Sequence, residues 1–214
     1  MKIAGHAPSR SASLRPWVVC LGCGLSLFTV MGLGVNVFTV YQPHLLLVHG
    51  FTNAQGSWIT TVRSLFALLS MLTVDQLCRR LGLRNTMVLG MGCFVGSYLL
   101  FGFAHSFSAY CGGAVLSGLA YGYGGMIPLT LVISRWFPTG RGFALGMAAA
   151  GSGISTIFAP PLITGAIQAL GLSAAFLWEA AAGVLLTLLV YLLVRDSPGS
   201  PEFPDSEDSL PGAR

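Results

Sequence analysis

Six apolar stretches follow one another through this chain, at 17–41, 57–77, 86–104, 108–133, 142–167 and 173–194. Each is close to or above the roughly 20 residues a helix needs to cross the hydrocarbon core of a bilayer. No water reaches that core, so a spanning segment must satisfy its own backbone hydrogen bonds, and a helix does so within one segment. The chain is 54% hydrophobic and 8% charged, against roughly 25% charged in soluble domains. A soluble globule has too few charges here to cover its surface. The class is therefore an all-α membrane protein with six transmembrane helices, and the lipid bilayer is its first partner.

The pI near 9.0 is a matter of topology. Lys2, Arg10 and Arg15 precede the first span; Arg79, Arg80 and Arg84 follow the second; Arg135 and Arg141 follow the fourth; Arg195 follows the sixth. The segment 42–56 and the turns near His105 and at 168–172 carry no Lys or Arg. This alternation places both termini in the cytoplasm. No basic patch with interleaved aromatics is present, so no nucleic-acid partner is expected. Residues 1–16 read as a cytoplasmic N-terminal tail, 17–195 as a six-helix bundle, and 196–214 as a disordered cytoplasmic tail or the start of a central linker. The first apolar run exceeds the about 7–15 residues of a signal-peptide core and reads as a retained span.

Leu81-Gly82-Leu83 after span two is echoed by Leu170-Gly171-Leu172 after span five. Three spans separate the copies, so they lie on opposite sides of the membrane. That is the mark of an inverted 3+3 repeat. At the start of span five, Trp136-Phe137-Pro138-Thr139-Gly140-Arg141 leads into a helix with a small-residue face. Gly142, Gly146 and Ala150 recur every fourth residue with Gly153 close by, a spacing that lets two backbones approach in lipid. Cys20 and Cys23 stand one helical turn apart. No His or second Cys pair accompanies them, so they read as small packing residues.

The six spans, the basic turn and the Trp-Phe-Pro…Arg-Gly-x-Ala-x-Gly stretch resemble the N-terminal half of a major facilitator superfamily transporter. Within it, the likeness is to the oxalate:formate antiporter and monocarboxylate porter group. Trp136, Phe137, Arg141, Gly142, Ala144, Gly146, Gly151 and Gly153 carry it, with Arg80-Leu81-Gly82-Leu83-Arg84 matching the superfamily's loop motif. The resemblance implies a secondary carrier for small organic anions, seated in the cell membrane and working by alternating access. It implies no cofactor, no metal and no covalent chemistry. The turn 75–84 is implied to act as a cytoplasmic latch. There, Asp75 stands where the family has Gly and Arg79 where it has Asp, a pair able to meet at i,i+4. Asn36 falls where monocarboxylate porters often carry a lysine. The family has about twelve spans in two six-helix halves. The partner implied is thus a missing C-terminal half or a second copy; the alternative is a truncated or non-transporting membrane remnant or subunit.

Charges inside spans are costly and need an account. Arg63 lies about 9 Å into span two at 1.5 Å per residue, and Glu179 lies at a similar depth in span six. A guanidinium can hold a carboxylate bidentately, so Arg63 is the first candidate for anion contact. Pairing with Glu179 or snorkelling to head groups is the other reading. Thr60, Arg63, Ala67, Ser70 and Val74 share a face suited to a wet cavity. Asn36 and Tyr121 are companion candidates; an interhelical hydrogen bond for Asn36 and plain packing for Tyr121 and Tyr123 are the alternatives. Pro128 and Pro160 with Pro161 lie inside spans and serve either gating or fixed shape. An intramembrane serine protease needs a His beside its Ser. His6, His44, His49 and His105 are all placed in the tail or loops, which excludes that class. No loop supplies a channel filter.

Overall fold

A computed structural model describes residues 10–137 and 139–194. The expected tails at 1–9 and 196–214, and Arg195, lie outside the described residues. All elements found among the described residues are helical, and they form six membrane-length spans. Span one is built from α1 (Arg10–Leu27), a π-helical segment (Phe28–Val37) and α2 (Phe38–His49). Spans two and three are α3 (Asn53–Leu81) and α4 (Leu83–Phe103). Span four is α5 (Phe107–Gly124) followed by α6 (Met126–Trp136). Spans five and six are α7 (Arg141–Leu170) and α8 (Leu172–Leu193).

Two boundaries differ from the sequence reading. The expected loop 42–56 is almost all helix, so His44 and His49 are helical residues rather than loop residues. Only Gly50, Phe51 and Thr52 separate α2 from α3. The tight reversal rests on Gly50 in the left-handed region (φ 65°) and on a capping box in which Thr52 and Gln55 exchange hydrogen bonds. Span four, read as one helix, breaks at Gly125. Pro128 sits in the first turn of α6, where its missing N–H has no intrahelical partner to lose. Pro160 and Pro161 lie inside α7, which continues through them.

The spans pack in a pattern that repeats by halves. Span one packs on span five, span two on span four, span three on span six, span one on span six and span three on span four. Exchanging the first three spans for the last three leaves this set unchanged. Direction follows the same rule. Gly24 meets Gly151 and Gly32 meets Ser155, so spans one and five run parallel. Gly118 meets the Arg63 carbonyl and Gly122 meets Ser70, so spans two and four do too. Gly90 against Gly124 and Ser97 donating to the Gly113 carbonyl (2.8 Å) make spans three and four antiparallel. The Leu-Gly-Leu copies share one backbone conformation: Gly82 at φ 85°, ψ 159° and Gly171 at φ 86°, ψ 167°. Each donates its N–H to the carbonyl four residues back, Cys78 or Ile167, and each starts the next helix at once. The inverted 3+3 repeat is thus present in packing as well as in sequence. It also places the turns holding Arg79 to Arg84 and Arg135 to Arg141 at the same end of the bundle.

The close approaches do not fall where the small-residue face suggests. A methyl group added at Gly142, Gly146 or Gly153 would meet no atom within 4 Å, whereas one at Gly151, one residue off that row, would meet the Gly24 backbone. The Gly142–Gly146 row is open in this bundle. Gly90→Ala therefore drives a methyl into the Gly124 backbone and costs about 1–3 kcal/mol, read as a lowered unfolding midpoint in detergent, while Gly146→Ala leaves it unchanged. Gly82→Ala and Gly171→Ala force a side chain into backbone space that glycine alone tolerates, each costing on the order of 1–3 kcal/mol by the same measurement.

Candidate functional site

Arg63 is placed by backbone contact before any side chain acts. Gly118 has no side chain, so α5 rests on the Arg63 carbonyl and on Ala67. Ser70, fully buried, donates to the carbonyls of Ala67 (2.8 Å) and Gly118 (3.1 Å), which ties α3 to α5 one turn further on. The Arg63 side chain then reaches span one. Its Nη1 donates to the Gly34 carbonyl at 3.4 Å, and the guanidinium lies over the Phe38 ring at 5.1 Å from its centroid. That geometry uses one of five N–H donors and leaves others for a ligand. The side chain is half-buried and lines a cavity of about 410 Å³ with Val35, Ser64, Ala67, Met71 and Tyr121.

Tyr98 contacts the same stretch of span one. It is fully buried, and its hydroxyl donates to the Leu33 carbonyl at 3.0 Å and reaches Gly34 at 3.5 Å. The π-helical segment leaves carbonyls out of α-helical register, so side chains of α3 and α4 can reach them. Neither Tyr98 nor Phe38 was singled out from sequence. A tyrosine deep in an apolar span was the available signal, because a buried hydroxyl needs a partner.

The sequence-derived candidates separate into two groups. Arg63 and Tyr121 share the cavity. Asn36 does not line it; its amide donates to Thr156 Oγ1 at 2.7 Å, joining span one to span five. Tyr123, next to the site, is paired with Thr73 through its hydroxyl at 3.0 Å. The shared face of α3 is only partly wet: Arg63 and Ala67 face the cavity, while Ser70 and Val74 are buried.

The expected Arg63–Glu179 pair is not formed among the described residues. Glu179 is 2% exposed and accepts from the Tyr41 hydroxyl at 2.7 Å. Tyr41 is stacked on Phe176 (4.0 Å between centroids) and stands edge-on to Tyr98. The two intramembrane charges are thus held on separate partners, Arg63 by Gly34 and Phe38 and Glu179 by Tyr41.

In the turn after span two, Asp75 and Arg79 form the expected i,i+4 ion pair at 3.1 Å. Both are exposed, so the pair adds little to stability. Arg84 reaches across to span six, donating to the Tyr191 carbonyl at 2.6 Å from Nη2 and 3.1 Å from Nε, with its guanidinium 3.9 Å from the Tyr191 ring centroid. Gly82 supplies the turn, and Arg80 is exposed. Arg141 donates from Nε to the Phe137 carbonyl at 3.1 Å, closing the corresponding turn before span five.

Comparison with known proteins agrees with this architecture. An MFS-type transporter from Aspergillus niger, pynF, is 26% identical over 161 residues, covering 72% of this chain and 36% of that protein. An uncharacterized MFS-type transporter from Mycobacterium tuberculosis, Rv1250, is 26% identical over 198 residues, covering 92% of this chain and 34% of that protein. The chain therefore spans about a third of the length of these relatives. Residues 23–213 match the family described as Major Facilitator Superfamily. With six helical spans in an inverted repeat and a match over nearly its whole length, the chain belongs to the major facilitator superfamily.

Proposed function

We propose that this chain forms one half of a secondary carrier that moves small organic anions, of the monocarboxylate or oxalate and formate kind, by alternating access. The observation that carries the reading is Arg63: an intramembrane guanidinium on a cavity wall, with no carboxylate against it among the described residues and donors to spare. A planar carboxylate matches the guanidinium fork in two parallel hydrogen bonds. Tyr121, on the same wall, is the second donor. Asn36, on the span-five side of span one, is the weaker companion. Spans two and five carry exposed apolar side chains such as Leu68, Leu72, Ile157 and Leu162. In this reading a second six-helix half, or a second copy, covers part of that surface and closes the cavity. The open row at Gly142, Gly146 and Gly153 packs or slides against that second wall, and Pro128 and Pro160 set where spans four and five bend. The carrier sits in the cell membrane with the arginine-rich turns on the cytoplasmic side. The latch is the turn holding Asp75, Arg79, Arg80, Gly82 and Arg84.

The test uses the full-length carrier in proteoliposomes. Arg63→Gln removes the charge and lowers affinity for a monocarboxylate by about 10- to 100-fold, the worth of a charge-assisted hydrogen bond. Arg63→Lys restores only part of it, because a point charge lacks the fork. Unchanged uptake kinetics in Arg63→Gln would falsify the anion site. Asn36→Ala is expected to weaken binding less than Arg63→Gln does; an equal loss would place Asn36 in the same contact set.

A further inference from the structure

We propose that Glu179 and the cavity beside it form a second binding site, separate from the Arg63 cavity, for an organic ammonium ion with a small apolar body. Glu179 lies seven residues into α8, about 10 Å along the helix. One carboxylate oxygen, Oε2, takes the Tyr41 hydroxyl; the other, Oε1, is buried and has no hydrogen-bond partner among the described residues. Glu179 is also a wall of a cavity of about 170 Å³ lying between spans one, five and six. The other walls are apolar, with Phe28, Phe158 and Trp178 supplying aromatic rings and Leu162 and Ile163 closing the space between them.

The charge balance points to a cation. A carboxylate has room for about four hydrogen bonds and receives one here. Among the described residues no cationic side chain compensates it. Tyr41 faces it from α2 and Tyr98 stands behind Tyr41 on α4, neither of them cationic. Span six contains no Lys or Arg, span five has only Arg141 at its first residue, and Arg63 is engaged with Gly34 and Phe38. Protonating the carboxyl removes the charge but gives it an O–H that also needs an acceptor. An ammonium supplies the counter-charge and the N–H donor together, and aromatic walls favour a cation over their faces. Access decides the rest of the ligand. Phe158, Leu162 and Trp178 are exposed on the flank of the bundle, so the cavity is reached from the bilayer side. That route selects a cation whose remainder partitions into lipid, and the cavity volume holds about one aromatic ring.

The full-length protein in lipid nanodiscs tests this with two probes of like shape, phenethylammonium and the uncharged 2-phenylethanol, followed by equilibrium dialysis at neutral pH. The ammonium is expected to bind at least about ten-fold more tightly than the alcohol. Glu179→Gln, which keeps an acceptor for Tyr41, removes that preference. Ala182→Phe, on the cavity wall but away from the carboxylate, lowers binding of both probes and serves as the second variant should Glu179→Gln fail to fold. Equal affinity for the two probes would mean apolar partitioning and would overturn the site. So would an ammonium preference that survives Glu179→Gln. Absence of any ammonium binding from neutral to mildly alkaline pH would show a carboxyl that only holds a proton, and would overturn it as well.

Discussion

Backbone-to-backbone contact at glycine carries this bundle. In lipid the tails are as apolar as leucine, so helices gain little by burying side chains against each other and much by close packing. Gly90 against Gly124, Gly118 against the Arg63 carbonyl, and Gly151 against Gly24 bring three pairs of spans together. Hydroxyls also bridge helices in the same regions: Ser26 donates to the Gly124 carbonyl at 2.9 Å, Ser70 to Gly118 and Ser97 to Gly113. Glycine and serine thus act together. The missing side chain admits the neighbouring helix, and the nearby hydroxyl fixes its register.

That register places the charges. Because α5 sits directly on the Arg63 carbonyl, the arginine cannot turn toward span four and extends to span one. There it meets a carbonyl of the π-helical segment, which Tyr98 contacts from the other side. Glu179 approaches span one from span six and meets Tyr41 instead. Span one is therefore the common support for both intramembrane charges and holds them on different residues. The separation keeps a guanidinium at one cavity and a carboxylate at another, where an ion pair would have cancelled both.

Span one and span four occupy equivalent places in the two repeats, and each departs from a plain α-helix. Span one widens into ten residues of π-helix, and span four breaks at Gly125. The flanking spans two and five remain single helices of 29 and 30 residues. Irregular backbone is tolerated at membrane depth only where protein or a cavity covers it. Its confinement to the two inner spans fits that constraint, since these bury the largest share of their surface.

The class, the number of spans and the inverted repeat were legible in the chain itself, because each depends on local quantities. Apolar length sets a span, and the two Leu-Gly-Leu turns recur with the same glycine geometry. The Asp75–Arg79 pair was legible for the same reason, being one helical turn apart. What could not be read were distances between spans. Depth along a helix put Arg63 and Glu179 at a similar level, which made their pairing reasonable; only the rotation of each helix about its axis separates them. That rotation is set by glycine contacts with partners far away in sequence, as at Gly118 and Gly151. A four-residue spacing singled out Gly142 and Gly146, yet a spacing names a face without naming what covers it. The chain alone thus determined a six-span major facilitator half and its turns. Tertiary packing decided which polar groups meet, since a partner for a buried charge is chosen by helix rotation in three dimensions and leaves no periodic trace.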